Sequence, residues 1–164
     1  MMLLLLACRT ATSEACDVCG GACQVDEIPA TSRSHTEEPI TYEDRPPTGG
    51  DHNPCWATWG VHTEAVPDEN WVHNLEHGGV IFLYNCPDGC PEDQLALESY
   101  VSALPAGRAL VTPYAEMTWA YAAVAWEHRL LLECLDMASF EAFYDEHVAN
   151  GPEVTTAEPD TGCM

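Results

Sequence analysis

His73 and His77 stand four residues apart with Glu76 between them, in the stretch Pro67-Asp68-Glu69-Asn70-Trp71-Val72-His73-Asn74-Leu75-Glu76-His77-Gly78-Gly79. On a helix that spacing projects both imidazoles from one face, which is how two neighbouring residues can hold one metal ion. His52 sits in a turn-rich loop, Pro46-Pro47-Thr48-Gly49-Gly50-Asp51-His52-Asn53-Pro54, the kind of rigid irregular segment that often seats functional groups. His52, His73 and His77 therefore form a candidate metal triad. Imidazole suits zinc, copper, iron and nickel, and copper has the highest intrinsic affinity among the divalent ions. Met117, in the loop Pro113-Tyr114-Ala115-Glu116-Met117, is the candidate fourth ligand. Its thioether would bias the site toward copper and Cu(I) in particular, although packing against Trp119 would equally account for it. Copper is thus the favoured cofactor and zinc the alternative.

Two other chemistries compete. His73-x-x-Glu76-His77 has the order of a zinc-hydrolase motif in which two histidines bind the ion and the glutamate activates water. That motif normally lies in a long helix, whereas here Gly78-Gly79 ends the segment. Glu76 is catalytic only on that reading; otherwise it accepts a hydrogen bond that orients an imidazole, or lies on the helix surface. The third possibility is a metal-free, disulfide-stapled interaction module whose histidines are structural. Of the other histidines, His35 reads as solvated in the N-terminal arm. His147 reads as a helix-end residue favoured by the dipole. His62 and His128 have no assigned role.

Certain elements must position these groups. Asp68 and Gly78 are the expected start and stop of a short helix, marginal unless packing or a bound ion pins it. Val80 to Tyr84 is a continuous apolar run, expected as a buried strand. Pro91 opens a helix to about Leu104. Ala109 to Thr112 and Ala120 to Trp126 read as strands, with Leu130 to Leu132 a fourth strand or a continuation. Asp136 or Ser139 caps a last helix carrying Phe140, Phe143, Tyr144 and His147 on one side. This order implies an α+β fold, a two-layer domain with a mainly antiparallel sheet and two or three helices, ferredoxin-like in arrangement.

The totals constrain partners. The chain has 164 residues, 27 Asp+Glu against 5 Lys+Arg, and a formal charge of −22. It has no basic face for nucleic acid. Nine cysteines suggest disulfides in an exported protein. Leu4-Leu5-Leu6-Ala7-Cys8 resembles the lipobox of a bacterial lipoprotein, which implies a periplasmic or cell-envelope protein held to the membrane through lipid on Cys8. The segment lacks a basic n-region. With Cys8 as anchor, eight cysteines remain. Cys86-Pro87-Asp88-Gly89-Cys90 could close a tight loop, and Cys16-x-x-Cys19 with Cys23 could be a redox pair, a metal knuckle or a staple for the tail. The expected organisation is residues 1–8 as signal remnant, 9–45 as an acidic arm or tether, 46–155 as the α+β metal-binding domain and 156–164 as an acidic tail. The partners so implied are a metal ion and a membrane; no protein partner is indicated.

Pro46-Pro47-x-Gly49-Gly50-x-His52-Asn53-Pro54, then Val66-Pro67-Asp68-Glu69-Asn70-x-Val72-His73-x-Leu75-Glu76-His77-Gly78, then Ala125-Trp126 and Asn150-Gly151-Pro152-Glu153, resemble family 3105 of the bacterial domains of unknown function. The resemblance covers roughly residues 40–155 and implies an exported or membrane-tethered protein. It implies no activity. Glu127 departs from the pattern, where glycine usually follows the tryptophan, as do the extra N-terminal cysteines.

Overall fold

The computed structural model describes residues 11–154. Among these, seven strands are β1 (Thr12–Ala15), β2 (Cys23–Glu27), β3 (Gly60–Val61), β4 (Val80–Tyr84), β5 (Ala109–Pro113), β6 (Tyr121–Ala125) and β7 (His128–Leu132). The helices are α1 (Asp68–Glu76), α2 (Pro91–Ala103) and α3 (Met137–His147). All strands join one sheet in the order β1-β2-β7-β6-β4-β5-β3. Only β4–β5 and β3–β5 pair in parallel; the other pairs are antiparallel. The fold is α+β, as the element order implies.

The unbroken apolar run of β4 is explained by a sheet covered on both sides. Val80, Phe82 and Tyr84 face one apolar cluster with Leu97 of α2 and Phe140, Phe143 and Tyr144 of α3. Ile81 and Leu83 face the other, with Trp71, Val72 and Leu75 of α1. Alternate residues enter opposite cores, so neither set can be polar. The second core adds a layer beyond the expected two.

The chain order β4-α2-β5-β6-β7-α3 is not the β-α-β-β-α-β of a ferredoxin-like fold. Leu130 to Leu132 belong to a separate strand, turned back from β6 by Trp126-Glu127. Glu127 has φ +66°, the left-handed region that glycine adopts without strain, which accounts for glycine in the family pattern here. The glutamate side chain has its own use: Oε1 accepts the Ala30 N–H at 3.0 Å and holds the N-terminal arm.

That arm is not a free tether. β1 and β2 extend the sheet edge through β7, and Cys19–Cys134 ties the segment to the domain across 115 residues. Cys16 bonds Cys23 rather than Cys19, so the CxxC is not itself a redox pair. Cys86–Cys90 closes the expected tight loop. No helix among the described residues is long and apolar enough to cross a membrane. Cys8 lies outside the described residues.

Candidate metal centre

The helix α1 is short, and packing pins it. Trp71, Val72 and Leu75 are completely buried under it. At its first turn Asp68 takes a 2.6 Å ion pair from Arg45 and a 3.1 Å hydrogen bond from the Tyr114 hydroxyl. Burial nevertheless pushes the Asp68 carboxyl up to about 6, against the pull of Arg45. Asp68 is the first helical residue rather than the cap, which is Pro67. At the other end Gly78, at φ +79°, takes the left-handed turn that lets the chain leave the helix.

With its apolar side against the sheet, α1 presents His73 and Glu76 together, and His77 just past its end. The loop carrying His52 crosses this face, anchored by Asn53 N–H to the Glu69 carbonyl at 2.9 Å. The arm then pairs with that loop. His52 N–H donates to the Ser34 carbonyl and Thr36 N–H to the His52 carbonyl, a bridge that sets His35 beside His52. Asp51 secures the pairing by accepting Ser34 N–H at 3.0 Å and the Ser32 hydroxyl.

One ligand atom from each of His35, His52, His73 and Glu76 lies within 4.8 Å of the others, and so does one from each of Glu76, His77 and Glu153. These His/Glu groups could hold a metal ion. The rings of His35, His52 and His73 are mutually 4.8 Å apart between centroids. His52 is fully buried and His73 nearly so, with the Trp126 ring edge-on to His52 and Trp56 edge-on to both His73 and His77. Burial, with the neighbouring imidazoles adding to it, pushes His73 down to about 4, which favours the neutral ring.

Backbone carbonyls decide which nitrogen keeps that lone pair. His52 Nδ1–H donates to the Gly50 carbonyl at 2.9 Å, His73 Nδ1–H to Asn53 at 2.8 Å and His77 Nδ1–H to Glu153 at 2.9 Å. Each Nε2 is therefore left as the basic atom, and the three point inward. His52 Nε2 lies 3.0 Å from Glu76 Oε2, and His73 Nε2 lies 2.9 Å from His77 Nε2. With Nδ1–H committed to a carbonyl, each contact is closed by one further positive charge, either a second ring proton or a bound cation.

The C-terminal segment completes the cluster through a close approach. A Cβ at Gly151 would lie 2.3 Å from the Glu76 carbonyl oxygen and 2.5 Å from Gly78 N. Only glycine allows the chain to run there, with Glu153 N–H donating to the Glu76 carbonyl and the Glu153 carbonyl reaching His77. The glycine in the Asn-Gly-Pro-Glu motif thus serves the histidines directly.

Residues 34–160 match the family described as "Protein of unknown function (DUF3105)". The chain belongs to that family. The match begins beside His35 and so takes in every residue of the cluster except Arg33, which borders it. No curated protein and no solved structure matches the chain. Within this DUF3105 domain the three motif histidines do come together, and Glu76 is buried among them rather than on the helix surface.

Three expectations are corrected. His35 is not merely solvated: its Nε2 lies 3.6 Å from Glu76 Oε2, and its ring stacks on His73. No sequence period marks it, because a β-bridge rather than a helix places it. Met117 lies elsewhere. Its carbonyl is held by Asn85, just past the C-terminal end of β4, whereas His73 and His77 lie at the end of α1 that leads through Gly78-Gly79 into the start of β4. Met117 is buried in the apolar cluster that Trp119 packs against. His147 is not a dipole-stabilised cation. It is buried at the end of α3 and stacked on His128, and burial lowers its pKa, with His128 adding to the effect.

Proposed function

We propose that this DUF3105 domain is a metal-binding protein whose ion sits among His35, His52, His73 and Glu76, beside His77. The observation that carries the reading is the fixed tautomers. Backbone carbonyls hold the Nδ1–H groups of His52 and His73 so that each Nε2 faces the Glu76 cluster, and that of His77 so that its Nε2 lies beside it. Such outer contacts orient metal-bound histidines and raise their basicity.

An imidazole and carboxylate donor set favours a borderline divalent ion, and on intrinsic affinity Cu(II) ahead of zinc. With Met117 packed in the core, nothing in this set selects Cu(I). Carrying, sensing or sequestering the ion fits the site better than hydrolysis, because the Glu76 carboxylate is engaged by His52 and His35 rather than free to activate water. The disulfides agree with export, and lipidation at Cys8 would tether the domain to the cell envelope. The test is elemental analysis of the chain purified from its native compartment, then stripped with chelator and reloaded. Stoichiometric Cu(II) or Zn(II), lost in His73→Ala, supports the reading; a chain that takes up no ion ends it.

A further inference from the structure

The cluster offers more donors than one ion uses. Four imidazoles and two carboxylates are present, while a closed tetrahedral site takes four ligands. They divide into two groups that share Glu76: His35, His52 and His73 on one side, His77 and Glu153 on the other. Glu76 faces both. Its Oε2 lies toward His52 and His35, and its Oε1 lies 3.9 Å from Arg33 Nη1.

Arg33 reports on the second group. The same Nη1 lies 3.5 Å from Glu153 Oε1, so the guanidinium spans the two carboxylates where a cation would sit. Its side chain is 52% exposed and can swing into solvent. Of the two carboxylates it spans, that of Glu76 is buried and that of Glu153 is as exposed as Arg33 itself. The Glu153 backbone is held by hydrogen bonds at both its N–H and its carbonyl, and His77 is held through Nδ1. His77 Nε2 also lies 2.9 Å from His73 Nε2, so the two groups of donors adjoin.

We propose that the cluster is a two-ion centre bridged by the Glu76 carboxylate. The first ion is held by His35, His52, His73 and Glu76. The second, held by Glu76, His77 and Glu153, displaces Arg33. This rests on the metal-binding reading above and extends it. Two carboxylates and one imidazole suit a divalent ion, and oxygen donors suit Cu(I) poorly. Zn(II) or Cu(II) therefore fills both positions, whereas Cu(I) fills the histidine-rich one.

The experiment is native mass spectrometry of the full chain titrated with Zn(II) against a competing chelator, which strips ions from the acidic surface. Two tightly held ions are expected in the wild type. Glu153→Gln should retain one, because the first group is untouched and the substituted side chain is half-exposed. Arg33→Ala should strengthen the second step a few-fold, the effect of removing one exposed competing charge. Cu(II)-loaded wild type should lose most of its copper EPR intensity through coupling of the two ions, and Glu153→Gln should regain it. One ion in the wild type, with Glu153→Gln indistinguishable from it, overturns the two-ion centre and leaves the metal-binding reading standing. No ion in either protein overturns both.

Discussion

The Nε2 atoms of His73 and His77 lie 2.9 Å apart while each ring commits its Nδ1–H to a backbone carbonyl, Asn53 for one and Glu153 for the other. Two ring nitrogens so placed share one proton or face one cation. The arrangement persists because the fold around it is rigid: α1 is buried along its length, and segments on both sides of it supply the carbonyls.

His35 is expected to be a ligand in its own right. Structural zinc sites are worth about 10–16 kcal/mol in all, so one of four ligands is worth roughly 100-fold in affinity or more. His35→Ala should weaken binding by about that factor in a competition titration, with the fold unchanged by circular dichroism. An unaltered affinity would return His35 to the role of a solvated arm residue.

Met117 is expected to be a packing residue. Met117→Leu conserves volume and should cost less than about 1.5 kcal/mol of stability. Affinities for Cu(I) and Cu(II), measured against chromophoric chelators, should both match the wild type. A selective loss of Cu(I) affinity would restore the thioether as a ligand.

His73 should titrate at about 4 in the metal-free protein, followed by NMR of the ring carbons. An unfolded histidine titrates near 6.5, so between those values the unfolded chain binds more protons. The stability contributed by neutral His73 is thus complete above about pH 6.5 and lost as pH falls toward 4. The loss is on the order of 1–3 kcal/mol. Asp68, raised to about 6 by burial, acts in the opposite direction and is common to wild type and variant. The chelated wild type should therefore lose more stability between pH 7.5 and 5 than His73→Asn does, as read by thermal melts. Equal pH dependence would contradict it.

Much of this was legible in the sequence, and what was not has identifiable causes. β4 was readable because five apolar residues in a row need two cores. His73 and His77 were readable because helical spacing is local, and α3 because Asp136 caps it through Ser139 N–H at 2.9 Å. β1 and β2 were hidden. β1 is exposed throughout and β2 buries only Cys23 and Asp26, so neither carries apolar alternation, and a disulfide and pairing to β7 hold them instead. His35 and Glu153 were hidden for a related reason. They reach the site through a β-bridge and a glycine-dependent close approach, contacts between segments far apart in sequence.

Gly151 offers a direct check on that close approach. Gly151→Ala places a methyl against the backbone of Glu76 and Gly78, which cannot yield as a side-chain tip would. Overpacking of this kind costs about 1–3 kcal/mol, or a fall in Tm of roughly 3–10 °C for a domain of this size. The displaced Glu153 carbonyl should also release His77 and weaken metal binding. A variant with wild-type Tm and affinity would show that the C-terminal segment does not dock as described.

On the proposed reading, imidazole nitrogens aimed by backbone carbonyls hold the ion. X-ray absorption spectroscopy at the metal edge of the stoichiometrically loaded chain reads those ligands directly. The account predicts a nitrogen and oxygen shell at about 2.0–2.1 Å with multiple scattering from several imidazoles and no sulfur shell, the imidazole signal diminished in His52→Ala and His73→Ala. A spectrum dominated by sulfur, or by carboxylate and water oxygens with no imidazole scattering, would contradict it.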